Sequence, residues 1–275
     1  MAEAQSPAKT QFNREKEEQK MRTRLKSTLG RTILGIAAGV TLLLASSGLY
    51  AATVTHIYDL NGSLADGLGG PALISQGGTL NPTNYSFGAN QGLALDNGFV
   101  NPADYSIEMI FNISTTSGYR KLIDFKDRAV DTGLYNLDTQ LNFFNYGSGP
   151  LGAINANIDV HLVLTRNQST SQIIGYINGA QQFTFADGSS YAVFSATNNI
   201  ARFFQDDFPT SQGEASAGVV DRIRIYDGVL TSQEVVDLNN GGSPPGLAVP
   251  EPSTLLLLGT GLVGLIGYGR RRKSA

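Results

Sequence analysis

Apolar and polar residues alternate with a period of two along most of the central chain. In Tyr105-Ser-Ile-Glu-Met-Ile-Phe111, the residues Tyr105, Ile107, Met109 and Phe111 fall on one face, as expected of a half-buried strand. Lys121 to Phe125 forms a second such run, and Leu134–Leu137 with Gln140–Tyr146 suggests a hairpin around Asp138-Thr139. His161 to Arg166 has few polar breaks and predicts a central strand. Ser171–Ile177 and Gln181–Phe185 flank Asn178-Gly179, a strong signal for a type I′ hairpin because both positions tolerate positive φ. Ile200–Phe204 and Val219–Tyr226 supply the last strands. One stretch predicts a helix: Thr231-Ser-Gln-Glu234 forms a capping box, Val235, Val236 and Leu238 follow, and Asn239 with Gly241 ends it. Many short strands joined by Gly, Asn and Asp turns, with one late helix, predict an all-β antiparallel sandwich.

Two apolar runs stand outside this pattern. Ile33 to Leu49 follows a basic stretch with Arg22, Arg24, Lys26 and Arg31 and precedes Ala51-Ala52. A basic region, an apolar region and a small-residue exit describe a secretory signal peptide, placed at 21–52 with cleavage at about 51–52. Residues 1–20 are polar and of mixed charge and do not fit that signal; Met21 opens the basic region well, and translation is expected to start there. The second run, Leu255 to Tyr268, is followed at once by Arg270, Arg271, Arg272 and Lys273. With its borders it covers 254–269, shorter than the ~20 apolar residues of a stable transmembrane helix. Gly259, Gly261, Gly264 and Gly267 weaken the helix further, so the membrane contact is expected to be transient.

Before that run stands Pro250-Glu251-Pro252. The two prolines withhold backbone donors and fix φ, which favours an extended segment that a protease can grip. Upstream, 241–249 is rich in Gly and Pro and predicts a flexible linker. The triplet Pro250, Glu251, Pro252, a short apolar helix and a terminal basic cluster, in that order over 250–273, resemble the PEP-CTERM sorting signal. The resemblance implies an exosortase-type membrane protease as partner and removal of the tail. It also implies an extracellular or cell-surface location in a Gram-negative bacterium and a link to exopolysaccharide or biofilm.

Composition changes the picture of the middle. The whole chain carries a net charge of −3, yet residues 53–249 hold eight basic and 18 acidic groups, a net −10. Such a domain repels nucleic acid and anionic lipid. There is no cysteine, which removes thiolate chemistry and cysteine-ligated metals. About 190 residues can bury a core without disulfides.

Three stretches of the middle resemble laminin G-like, concanavalin A-like jelly-roll domains. They are Tyr105–Phe111 with Lys121–Phe125, Val160–Arg166 with Ile174–Gly179, and Gly218-Val-Val-Asp-Arg-Ile-Arg-Ile-Tyr-Asp-Gly-Val-Leu-Thr-Ser-Gln-Glu-Val235. The resemblance implies a sandwich over about 53–240 that binds glycans, proteins or calcium, or serves as a spacer; other members are glycoside hydrolases.

Candidate chemistry is sparse. Paired carboxylates spaced along one strand, which glycoside hydrolysis needs, do not occur; Glu108, Glu214 and Glu234 are the glutamates of the middle, and Glu234 belongs to the capping box. His56 and His161 have no histidine or cysteine partner nearby in sequence. No enzyme is therefore expected. Calcium is the expected ligand if there is one: Asp206, Asp207 and Glu214 share a loop, and alternation turns Asp221 inward with Ile223 and Ile225. Tyr85, Phe87, Tyr119, Tyr135, Tyr146 and Phe208 fall in or near loops and are candidate sugar platforms. The chain is thus expected to be a surface or matrix adhesion domain that binds polysaccharide or a surface protein, with a purely structural matrix component or a glycoside hydrolase as the alternatives.

Overall fold

A computed structural model describes residues 52–247. The doubtful extension, the signal peptide up to Ala51, and the sorting tail with Pro250, Glu251 and Pro252 lie outside the described residues. Among the described residues no helix is long and apolar enough to cross a membrane.

Fifteen strands follow in order. The first five are β1 (Thr53–Tyr58), β2 (Ile74–Ser75), β3 (Thr79–Leu80), β4 (Tyr85–Phe87) and β5 (Leu93–Leu95). Next come β6 (Tyr105–Ile113), β7 (Tyr119–Asp124), β8 (Leu134–Leu137), β9 (Gln140–Phe143) and β10 (Gly147–Ser148). The last are β11 (Val160–Arg166), β12 (Gln172–Ile177), β13 (Ala180–Ala186), β14 (Ala201–Phe203) and β15 (Gly218–Asp227), followed by helix α1 (Ser232–Asn239). They form two antiparallel sheets. The first runs β13-β12-β11-β6-β15-β4-β3, with β1 also paired to β15; the second runs β10-β9-β8-β7-β14-β5-β2.

Alternation builds the layers. Ile107, Met109, Phe111, Leu162, Leu164, Ile223 and Ile225 point inward from the first sheet. Leu122, Leu134, Leu141, Phe143 and Phe203 meet them from the second. The predicted turns form: Asn178 (φ 51°) and Gly179 (φ 79°) join β12 to β13, and Asp138 (φ 46°) with Thr139 (φ 76°) joins β8 to β9. Thr231 and Glu234 complete the capping box. Helix α1 lays Val235 and Leu238 on the outer face of the first sheet, against Val163, Tyr176, Tyr226, Val54 and Ala52.

Two local expectations change. Asp221 does not turn inward, because a bulge between Val220 and Arg222 breaks the alternation of β15; it stays half-buried beside the charges of Asp159 and Arg222. The predicted flexible linker is in part docked: Pro244 is buried and the Val54 N–H donates to the Pro245 carbonyl at 3.0 Å.

Candidate functional site

The loops after β4, β7 and β14 converge on the outer face of the second sheet. Alternation sets what lies beneath them. Leu134 points into the core, so its neighbour Tyr135 points outward; Lys121 pairs with Tyr135 across β7 and β8 and shares that face. The loop from Phe204 to Ala217 folds over both, and all water is excluded from the Lys121 side chain.

The acids of that loop gather around the ammonium. Lys121 Nζ lies 2.7 Å from Asp207 Oδ2, 3.6 Å from Asp124 Oδ2 and 4.0 Å from Asp206 Oδ1. It also donates to the Thr132 carbonyl at 2.9 Å and sits 4.2 Å from the Tyr135 ring centre. The Tyr135 hydroxyl donates to Asp207 at 3.2 Å. Burial and the Asp207, Asp131 and Asp206 charges push the Tyr135 phenol up, so it stays a donor. For Asp207, the hydrogen bonds from Lys121 and Thr210 overcome the effect of burial and hold its carboxyl below the usual range. Among the described residues Glu214 has no such partner. Burial, then the Asp206 and Asp131 charges, push its carboxyl up to about 7.

Of the four residues expected to hold calcium, the structure therefore brings together Asp206, Asp207 and Glu214 and leaves Asp221 elsewhere. The centre of the group is filled by the Lys121 ammonium, and the carboxylates also fix the loop. Asp206 Oδ2 accepts from the Glu214 N–H at 2.7 Å, and Asp207 Oδ1 from the Thr210 N–H at 3.0 Å. Among the described residues no group of three or more His, Cys, Asp or Glu side chains is arranged to hold a metal ion.

Above this buried layer the same loops carry an exposed ring. Phe208 is 59% exposed, while Tyr85, Phe87 and Tyr135 are buried and Tyr119 and Tyr146 half-buried. One face of Phe208 rests on Arg128, whose guanidinium carbon is 4.5 Å from the ring centre. Arg128 is itself tied down, donating through Nε to the Asp206 carbonyl and through Nη2 to Gln212 Oε1, each at 2.5 Å. Asn90 Oδ1 accepts from the Asp206 N–H at 2.8 Å. Gly92 brings that loop in: a Cβ there would lie 1.9 Å from the Phe203 carbonyl oxygen.

Six non-glycine residues of these loops have left-handed backbones: Asn90 (φ 61°), Asp127 (52°), Arg128 (65°), Phe204 (57°), Ser211 (58°) and Gln212 (60°). Each costs of order 1 kcal/mol and persists only where surrounding contacts impose it. Here the imposing contacts include the Arg128 N–H to Asp124 at 2.7 Å, the Phe208 N–H to the Arg128 carbonyl at 2.9 Å and the Gln212 N–H to the Asp207 carbonyl at 3.1 Å. The ring is thus presented by a rigid loop cluster with a polar rim.

A second polar cluster lies on the outer face of the first sheet. Glu108 is fully buried, with His161 Nε2 at 3.0 Å, Arg222 at 2.9 Å and Arg224 at 3.3 Å, and it accepts a hydrogen bond from the Tyr226 hydroxyl. Burial would raise its pKa, but the hydrogen bond near His161, the arginines and Tyr226 bring it down to about 2. A carboxylate so fully engaged has no lone pair ready to take a proton. Asp66 is similarly engaged, 2.8 Å from His56 Nδ1 and accepting three backbone N–H groups.

Stacked antiparallel sheets with a loop-built outer face place the domain among the concanavalin A-like sandwiches. Residues 87–236 match the laminin G-type domain of the concanavalin A-like lectin/glucanases superfamily, and the chain belongs to that superfamily. Residues 248–273 match the PEP-CTERM protein-sorting motif, which marks an exported protein sorted to the cell envelope and processed by an exosortase at its C-terminus.

Among solved structures, domain 4 of AbnA, a GH43 extracellular arabinanase from Geobacillus stearothermophilus in complex with arabinotriose, aligns with 69% of this chain and 99% of its own. Its identity is 16% and its TM-score 0.52. Trypanosoma rangeli sialidase aligns at 18% identity and TM-score 0.51 over 68% of this chain, which spans only 32% of the sialidase. The binding domain of botulinum neurotoxin serotype D aligns at 11% identity and TM-score 0.50, over 69% of this chain and 52% of its own. At these identities the likeness is one of fold. No curated protein sequence matches the chain.

Proposed function

We propose that the protein is an exported, non-catalytic glycan-binding domain that attaches to extracellular polysaccharide. The carrying observation is the Phe208 ring, an exposed aromatic braced from below by Arg128 on a rigid loop cluster. A sugar presents an apolar C–H face that stacks on such a ring, while Asn90, Gln212 and Asp127 at the rim offer hydrogen-bond partners to hydroxyls. The net charge of −10 favours a neutral glycan over an anionic one.

We base the non-catalytic reading on two of the glutamates. Glu108 is neutralised by its partners and Glu234 caps α1. The family and the arabinotriose-bound relative favour the carbohydrate class. The first and last described residues, Ala52 and Leu247, pack on the helix-covered face of the first sheet, and Phe208 lies on the outer face of the second.

The test is a glycan array probed with residues 52–247, with and without calcium. Binding to neutral oligosaccharides that is lost in Phe208→Ala supports the reading. Absence of binding, with co-purification in the extracellular matrix, would replace it by a structural role, and sugar release from a polysaccharide panel would replace it by a hydrolase.

A further inference from the structure

A lysine amine and an aspartate carboxyl can condense to an amide. Bulk water and the distance between the groups normally prevent it. At Lys121 and Asp207 neither obstacle holds. The side chains of Lys121, Asp124, Asp206 and Asp207 are wholly shut off from solvent. Lys121 Nζ lies 2.7 Å from Asp207 Oδ2, so the carboxyl carbon is within about 4 Å of the nitrogen. Fixing two reactants at this range replaces their encounter in solution and removes much of the barrier.

The surrounding groups suit each step. Asp207 Oδ1 accepts from the Thr210 N–H at 3.0 Å and lies 3.0 Å from the Thr210 hydroxyl. These donors are placed to hold the negative charge that grows on Oδ1 during attack on the carbon. The Tyr135 hydroxyl donates to Oδ2 at 3.2 Å. Asp124 Oδ1 accepts the N–H groups of Lys126 and Arg128, at 3.0 and 2.7 Å, which fixes the carboxyl. Its Oδ2 has no hydrogen-bond partner among the described residues and stands 3.6 Å from Lys121 Nζ. Burial pushes the Asp124 carboxyl up, as suits a group that takes and returns a proton.

We propose that Lys121 Nζ and Asp207 Cγ join in an isopeptide bond that staples β7 to the Phe204–Ala217 loop. One ammonium proton passes to Asp207 Oδ2 along their hydrogen bond, and the freed amine attacks Cγ. The C–N bond forms and the Cγ–Oδ2 bond breaks. Asp124 takes a second proton from the nitrogen and delivers it to the departing oxygen, which leaves as water. The third proton stays on the amide. No oxidant, reductant or other reactant is consumed. Two buried charges disappear, and with them their desolvation cost. The staple links residues 86 positions apart in a chain that has no cysteine. It stands apart from the glycan reading.

The test is peptide mapping of the purified full-length protein, kept folded at neutral pH for several days, then denatured and cut with trypsin. The bond blocks cleavage after Lys121 and leaves Lys121–Lys126 joined to Phe203–Arg222. The branched peptide is lighter than the sum of its two parts by one water, about 18 Da. The expected result is this peptide in most of the wild-type protein and none in Lys121→Met. Asp124→Asn keeps an acceptor for Lys126 and Arg128, and the branched peptide should appear about 100-fold more slowly in it. Release of Leu122–Lys126 as a free peptide in full yield from the wild type would overturn the inference. So would a loss of water from the chain without the branched peptide.

Discussion

The Lys121 ammonium lies 2.7 Å from the Asp207 carboxylate, and both side chains are closed off from water. This pair fastens the Phe204–Ala217 loop to the second sheet and thereby fixes the floor beneath Phe208. Desolvating two charges is costly, and the pair is tolerated because Thr132, Thr210 and Tyr135 complete its hydrogen bonds.

Removing one partner should expose that cost. Lys121→Met leaves Asp207 and Asp124 buried without a cation, and a loss of about 3–5 kcal/mol is expected from denaturant unfolding. A loss below 1 kcal/mol would mean that the loop is held by other contacts. Because the ammonium fills the acid cluster, millimolar calcium should leave the wild-type melting temperature unchanged; a clear rise would restore the calcium reading of Asp206, Asp207 and Glu214.

Glu214 gives stability a definite pH dependence. Its folded pKa, about 7, lies above its ordinary value of 4.5, so between these values the folded state binds the proton more tightly than the unfolded one. Stability should therefore rise as pH falls from about 7 to about 4.5. Glu214→Gln should flatten this slope in melting curves taken across that window, and an unchanged slope would remove Glu214 as its source.

Glu108 acts in the opposite sense. Its folded pKa of about 2 lies below 4.5, so it stabilises the fold above pH 4.5, and that contribution is lost as pH falls through about 2. Glu108→Gln leaves Arg222 and Arg224 without their anion and should lower stability by about 3 kcal/mol at pH 7. The difference from wild type should shrink in acid, as unfolding at pH 2–3 would show.

The capping box offers a milder test. Thr231→Ala removes the oxygen that accepts from the Glu234 N–H and should cost about 1 kcal/mol. Since α1 covers Tyr226 and Val163, hydrogen exchange should increase in the helix and at the Pro244–Leu247 edge before it increases in the core sheets.

Much of the fold is legible in the sequence where side chains alternate. The runs at Tyr105, His161 and Val219 become β6, β11 and β15, and the Asn178-Gly179 turn and the Thr231–Glu234 box form as written. The strands between Ile74 and Leu95 have two or three residues each, too few to show a period. Asp221 misleads because a bulge adds one residue to its strand. The site is legible in its parts only. Asp206, Asp207 and Glu214 are visible as an acidic loop, but the loop that buries Lys121 lies some 85 positions downstream of it. Nothing near Lys121 in sequence marks it as the central cation. Phe208 is one of six loop aromatics, and only the packing of the other five singles it out.

The most direct test of the central claim is the affinity of residues 52–247 for a neutral oligosaccharide, measured by calorimetry for wild type and Phe208→Ala. Loss of a stacked sugar face worth about 1.4 kcal/mol predicts about tenfold weaker binding with the melting temperature unchanged. Equal affinity in the two proteins would contradict the assignment of Phe208 as the glycan platform.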